Sequence, residues 1–94
     1  MTQQEASHKV PEGKMVKIKF RNEDGTVYDV QIRGDFFIEP PEKLQELENR
    51  IEGIDVEASR KEITEKLAGI DADLIGFSSE DVAEAFRKAA GDGE

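Results

Sequence analysis

The sequence predicts an α+β domain: a small antiparallel sheet, built on one hairpin, with about three helices packed on one face. Two apolar runs of period two lie close together around an Asp-Gly pair, which is the signature of a hairpin. Three stretches of apolar residues at helical spacing follow, each preceded by a start signal. Ninety-four residues make one domain with a thin core.

In order along the chain, the first dozen residues are polar and end in Val10-Pro11-Glu12-Gly13, which reads as a tail and an entry turn. Residues 1–8 are expected to be a flexible tail, residues 9–90 the single domain, and residues 91–94 a frayed end. From Met15 the pattern alternates, with Val16, Ile18 and Phe20 on one face and Lys17, Lys19 and Arg21 on the other. A second run puts Tyr28, Val30 and Ile32 together, opposite Asp29, Gln31 and Arg33. Parity decides the turn. A two-residue loop would set Phe20 opposite Asp29, whereas a three-residue loop, Glu23-Asp24-Gly25, pairs Phe20 with Tyr28, Ile18 with Val30 and Val16 with Ile32. The three-residue loop is therefore expected, with Gly25 in the left-handed conformation.

The second strand can run on through Gly34-Asp35-Phe36-Phe37-Ile38 as a third short strand, bending at the glycine. Pro40-Pro41 ends extended structure and opens a helix with the stripe Leu44, Leu47 and Ile51, stopped by Gly53. Ser59 with Glu62 reads as a capping box for a second helix with Ile63, Leu67 and Ile70 inside. Ser78 with Asp81 reads as a looser cap for a third, where Phe77 and Val82 have staple spacing and Val82, Phe86 and Ala89 form the stripe.

Composition excludes much chemistry. Without cysteine there are no disulfides, thiolate metal sites, cluster ligands or thiol nucleophiles. No apolar run is long enough to span a membrane and the start lacks a signal core, so a cytoplasmic protein is expected. Net charge is −9, with six basic and six acidic residues in 1–38 but seven basic and sixteen acidic in 39–94. Such a surface repels nucleic acid and anionic membrane. The lone His8 sits in the polar segment with no evident partner and is read as an incidental surface residue. Asp71-Ala72-Asp73 followed by Gly76 starts like a calcium loop. It has Ile75 and Val82 where ligands are needed, so it is read as a solvated linker. No metal or catalytic residue is expected, and no glycine pattern cradles phosphate.

Taken together, Lys9-Val10-Pro11-Glu12-Gly13-Lys14-Met15-Val16, the Asp24-Gly25 hairpin, Gly34-Asp35-Phe36-Phe37 and the proline-started leucine helix resemble the C-terminal accessory domain of lipoate–protein ligase, from about Lys9 to Ala90. In its outline of hairpin, glycine turn and helices, the chain is also similar to the iron–sulfur scaffold and sulfur-acceptor fold. The form resembled is the separate, archaeal-type small subunit, since the catalytic domain's motifs are missing. The resemblance implies a non-catalytic accessory subunit that forms a heterodimer with the catalytic subunit and serves lipoyl carrier domains indirectly. It supports ATP-dependent activation of lipoate to lipoyl-adenylate. Lipoate, ATP and Mg would be bound by the catalytic subunit and no cofactor by this chain. The alternative is a cysteine-free interaction module of the iron–sulfur scaffold-like fold, unrelated to lipoylation.

The candidate docking residues are Gly34, Asp35, Phe36 and Phe37. Adjacent strand residues face opposite ways, so Phe36 is expected on the helix-covered side and Phe37 on the other face. Lys14, Lys17 and Lys19 are candidates for contact with a phosphate or a partner. A basic stripe of this kind is more often only the wet side of a sheet.

Overall fold

The computed structural model describes residues 2–10 and 14–91. Its elements are β1 (Thr2–Lys9), β2 (Met15–Glu23), β3 (Thr26–Gly34), β4 (Phe37–Glu39), α1 (Lys43–Ile51), α2 (Arg60–Leu67), β5 (Asp73–Ile75) and α3 (Ser79–Ala89). The main sheet is antiparallel in the order β1-β2-β3, and β4 pairs with β5 in a second, two-stranded ribbon. This is the expected α+β arrangement of antiparallel strands and three helices; the expected third short strand is β4, set in a separate ribbon, and β1 and β5 are additional.

The hairpin register differs from the expected one. Glu23 pairs with Thr26, so the loop is the two residues Asp24-Gly25, with φ of +54° and +87°. Two successive positive φ values give the turn hand that suits the twist of strands. Asn22 Oδ1 accepts from Gly25 N–H at 2.9 Å. The parity objection is met by a bulge. Arg21 pairs with Tyr28 but Lys19 with Gln31, so Phe20 faces both Asp29 and Val30. The additional residue, Asp29, has φ +55°. The switch at Asp29 turns Val27 inward before it and Val30 and Ile32 inward after it, while Tyr28 faces solvent. Ile18 therefore meets Ile32 and Val16 meets Gly34, replacing the expected Ile18–Val30 and Val16–Ile32 pairs.

The expected N-terminal tail is a strand. All of Thr2–Lys9 pairs with β2, from Thr2 opposite Asn22 to Lys9 opposite Met15. Its inward positions are Gln4, Ala6 and His8, so it carries almost no hydrophobic alternation. The polar inward groups are satisfied instead of replaced. Gln4 Nε2 donates to Ala89 O at 2.7 Å, and Gln4 Oε1 accepts from Asn22 Nδ2 at 2.9 Å. Of the end expected to fray, residues 91–94, Gly91 is described and its N–H donates to Lys88 O at 3.2 Å, while 92–94 lie outside the described residues.

The helices lie on one face of the main sheet. Val16, Ile18, Phe20, Val27, Val30 and Ile32 from the strands meet Leu47, Ile51, Ile63, Leu67, Val82 and Phe86 from the helices in one core. Phe20 stacks on Phe86 with ring centroids 5.1 Å apart. Arginines tie the helices down: Arg50 donates to Lys66 O and Ala68 O at the end of α2, and Arg87 donates to Val56 O and Ala58 O. The caps differ from expectation in rank. Ser78 and Asp81 form the full reciprocal box, while Ser59 makes only the one-way bond from Glu62 N–H, at 3.1 Å. Asp81 Oδ2 reaches Ser78 N–H at 2.9 Å, so the shorter acid closes the box.

The outer edge of β3 is held by side chains. Glu52 carboxylate oxygens accept from Asp29 N–H (3.2 Å) and Val30 N–H (2.7 Å), and Glu48 accepts from Ile32 N–H (2.9 Å). Glu48 and Glu52 are one helical turn apart on α1 and its end, so both carboxylates reach the same strand edge. Toward the turn, Val27 bonds to Gly53 and Ile54 through backbone groups. On α1, hydrogen bonds from Lys43 first, then Arg50, hold the Glu46 carboxyl below its ordinary pKa.

Candidate functional site

The segment Gly34-Asp35-Phe36-Phe37 leaves the main sheet and enters the β4–β5 ribbon. Gly34 sits directly against β2: a Cβ there would lie 2.0 Å from Met15 O. The same carbonyl accepts from Asp35 N–H at 2.9 Å. The space freed by Gly34 is thus filled by this chain's own backbone, not left open to another. Next, Phe36 turns inward, half-buried, and packs on Phe77 with centroids 4.1 Å apart. Phe77 is buried and immediately precedes the α3 cap, so the Phe36 ring is fixed by the element that starts α3.

Phe37 turns the other way and is 69% exposed. It pairs directly with Ile75 of β5, which is 49% exposed, while Ile38 and Leu74 form the inward pair of the ribbon. Two large apolar side chains thus stand side by side in solvent. Asp73–Ile75, expected to be a solvated linker, is the strand that supplies the second of them. Its sequence is too short for alternation to show, and the Asp71-Ala72-Asp73 run hides it.

The three candidate lysines are not brought together. Lys14 is exposed and its stem lies by Gly76, where a Cβ would stand 3.8 Å from Lys14 Cδ and from Phe36 Cα. It therefore borders the Gly34–Phe37 segment. Lys17 and Lys19 point from the open face of the main sheet, with Lys17 Nζ 3.9 Å from Glu5 Oε2 and Lys19 opposite Gln31. Arg21, the third member of that stripe, is engaged by Glu23 at 2.6 Å and by Asp29.

His8 is not the loose surface residue expected. It lies on the helix side of β1, with Nε2 3.3 Å from Asp81 Oδ1 and Nδ1 3.4 Å from Lys88 Nζ. Ser78 Oγ donates to Asp81 Oδ2 at 3.0 Å, so serine, aspartate and histidine do meet. The hydroxyl is aimed at the carboxylate, however, and the imidazole has no contact with it to withdraw its proton. The arrangement is a helix cap clamped to a strand. A hollow of about 780 Å3 beside it is lined by charges of both signs, among them Lys9, Arg60, Glu80 and Glu84, with Arg60 and Glu84 paired. Among the described residues, no three His, Asp or Glu side chains are grouped to hold a metal ion, and no helix is long and apolar enough to cross a membrane.

No curated protein matches the chain. Among solved structures it is similar to one from an archaeal lipoylation system, described as a bi-partite lipoate protein ligase and its E2 lipoyl domain from Thermoplasma acidophilum. That likeness has a TM-score of 0.75 at 21% identity and covers 92% of this chain and 96% of that one, which establishes a common fold. The family described as bacterial lipoate protein ligase C-terminus matches residues 2–86, nearly the whole length. The chain belongs to the lipoate protein ligase C-terminal domain family.

Proposed function

We propose that this chain is the non-catalytic accessory subunit of a two-component lipoate–protein ligase. It docks on the catalytic subunit and supports ATP-dependent activation of lipoate to lipoyl-adenylate, before lipoyl transfer to a lysine of a carrier domain. Lipoate, ATP and Mg are bound by the catalytic subunit. The docking element is the segment Gly34–Phe37, with Phe37 as its apolar anchor. The observation that carries this reading is the opposite placement of two adjacent rings, Phe36 packed on Phe77 and Phe37 69% exposed. A large apolar side chain held outward on a strand is the kind of residue that anchors an interface.

The test combines activity and binding. Pyrophosphate release is measured for this chain, for the catalytic subunit and for the mixture, with transfer from pre-made lipoyl-adenylate assayed separately. Activation should need both chains, and transfer should depend on this one much less. Phe37→Ala should weaken association by about 2 kcal/mol, roughly thirtyfold, and leave the melting temperature nearly unchanged. Phe36→Ala should cost about 2–3 kcal/mol of stability, at the low end for a phenylalanine because the ring is only half-buried. Robust turnover by this chain alone would end the accessory reading. Equal melting losses in the two variants, with normal binding by the folded fraction, would move the docking surface elsewhere.

A further inference from the structure

The outward face of the β4–β5 ribbon carries more than its apolar pair. Next to Phe37 and Ile75 in the same ladder, Glu39 stands directly opposite Asp73. Both carboxylates are exposed and project on the side of the apolar pair, since Ile38 and Leu74 take the inward positions. Like charges directly opposite each other weaken a sheet, and this ribbon has only three residue pairs. Asp71 joins Glu39 and Asp73 around an adjoining hollow of about 360 Å3. Among the described residues lining it the one cation is Lys43, which bonds to Glu46 at 3.1 Å, a carboxylate that Arg50 also engages at 2.9 Å. The ribbon therefore offers an apolar step followed at once by a negative one, with three carboxylates to one lysine around the hollow.

We infer that this face receives an apolar side chain flanked by an arginine or lysine from the catalytic subunit, the apolar group against Phe37 and Ile75 and the cation between Glu39 and Asp73. The inference rests on the accessory reading above and names the chemistry of the partner's contact. A second copy of this chain is a poor occupant. Stacking the face on itself would bring four carboxylates together in a chain of net charge −9. A guanidinium or ammonium is complementary to both carboxylates, and it relieves the repulsion that the ribbon carries alone.

The experiment is a titration of the cognate catalytic subunit with this chain, at low and high salt, with thermal melts of each variant. Ile75→Ser should weaken binding about tenfold or more. Glu39→Gln with Asp73→Asn should weaken binding several-fold and flatten its salt dependence, yet raise the melting temperature of the isolated chain, because the like-charge pair is gone. Opposite signs in the two measurements separate recognition from mere structural damage. The inference is overturned if the wild-type chain binds while both variants bind equally well with the same salt dependence. In that case the accessory reading stands and the contact lies elsewhere. It is also overturned if sedimentation shows a wild-type dimer that Ile75→Ser dissolves, which would make a second copy the occupant. Failure of the wild-type chain to bind the catalytic subunit at all removes both readings together.

Discussion

Replacing Gly34 by alanine tests the junction that delivers Phe36 and Phe37 to their opposite environments. The added Cβ would stand 2.0 Å from Met15 O, 3.0 Å from Met15 C and 2.9 Å from Phe36 Cε2. An ordinary C···O contact is about 3.3 Å or more, so backbone must move by roughly 1.3 Å. Two of the three obstacles are main-chain atoms of a central strand, which cannot swing aside as a side chain could. Overpacking of this kind costs about 1–3 kcal/mol, and loss of the Asp35 N–H to Met15 O bond adds about 1 kcal/mol. The sum, about 2–4 kcal/mol, is a large share of the roughly 5–14 kcal/mol that a domain of this length holds. For a domain of this size it corresponds to a fall of roughly 10–25 °C in Tm. Gly25→Ala provides the control. Gly25 has φ +87° but nothing within 4 Å of its would-be Cβ, so it carries only the conformational cost, about 1–2 kcal/mol. Urea and thermal unfolding followed by circular dichroism measure both, with the urea m-value checking that each variant unfolds from the same compact state. Equal losses for the two alanines would show that the contact at Met15 yields freely, and the account of the junction would be wrong.

Three further outcomes follow from the strands and from α1. Asp29→Val should lose about 2 kcal/mol, because a β-branched side chain resists the left-handed conformation that the bulge requires; Asp29→Asn should be nearly silent in the same thermal melt. In amide hydrogen exchange, Val30 and Ile32 should be protected although no strand pairs with them on that edge. Alanine at Glu52 should expose the first and alanine at Glu48 the second, while the amides of β2 keep their protection. Glu46 is held below its ordinary value, so the stability it contributes is present above the usual carboxylate range and is lost as pH falls through the lowered folded value. The Tm gap between the wild-type chain and Glu46→Gln should therefore be present at neutral pH and close as the pH falls below the usual carboxylate range.

Much of the architecture could be read from periodicity. The stripes at Leu47, Ile51, Ile63, Leu67, Val82 and Phe86 are buried where helical spacing put them, and Phe77 with Val82 are buried at the third helix's start. The hairpin's position was legible in Asp24-Gly25, but its register was not. Strict alternation assumes an unbroken ladder, and a single additional residue at Asp29 invalidates it for every position nearer the turn. An aspartate followed by valine gives no warning of a bulge, whereas a glycine would have. The first strand was invisible for a different reason. Of its inward residues only Ala6 is apolar, and Gln4 and His8 earn their places through partners up to 85 positions away in the chain. The outward placement of Phe37 was legible from parity alone, since it follows Phe36 and adjacent strand residues must diverge. Its neighbour Ile75 was missed because a three-residue strand has no period.

The carboxylates of Glu48 and Glu52 on β3 have a consequence for how this chain can meet its own copies. A sheet with two open edges can add strands at both, and nothing limits the growth of such an assembly. Here one edge of the main sheet is occupied along its length, by Glu48 and Glu52 and by the backbone of Gly53 and Ile54. Among the described residues of the main sheet, β1 is the edge left for strand addition. Any pairing through the main sheet therefore stops after one event, giving at most a dimer joined β1 to β1, and a filament cannot propagate from it.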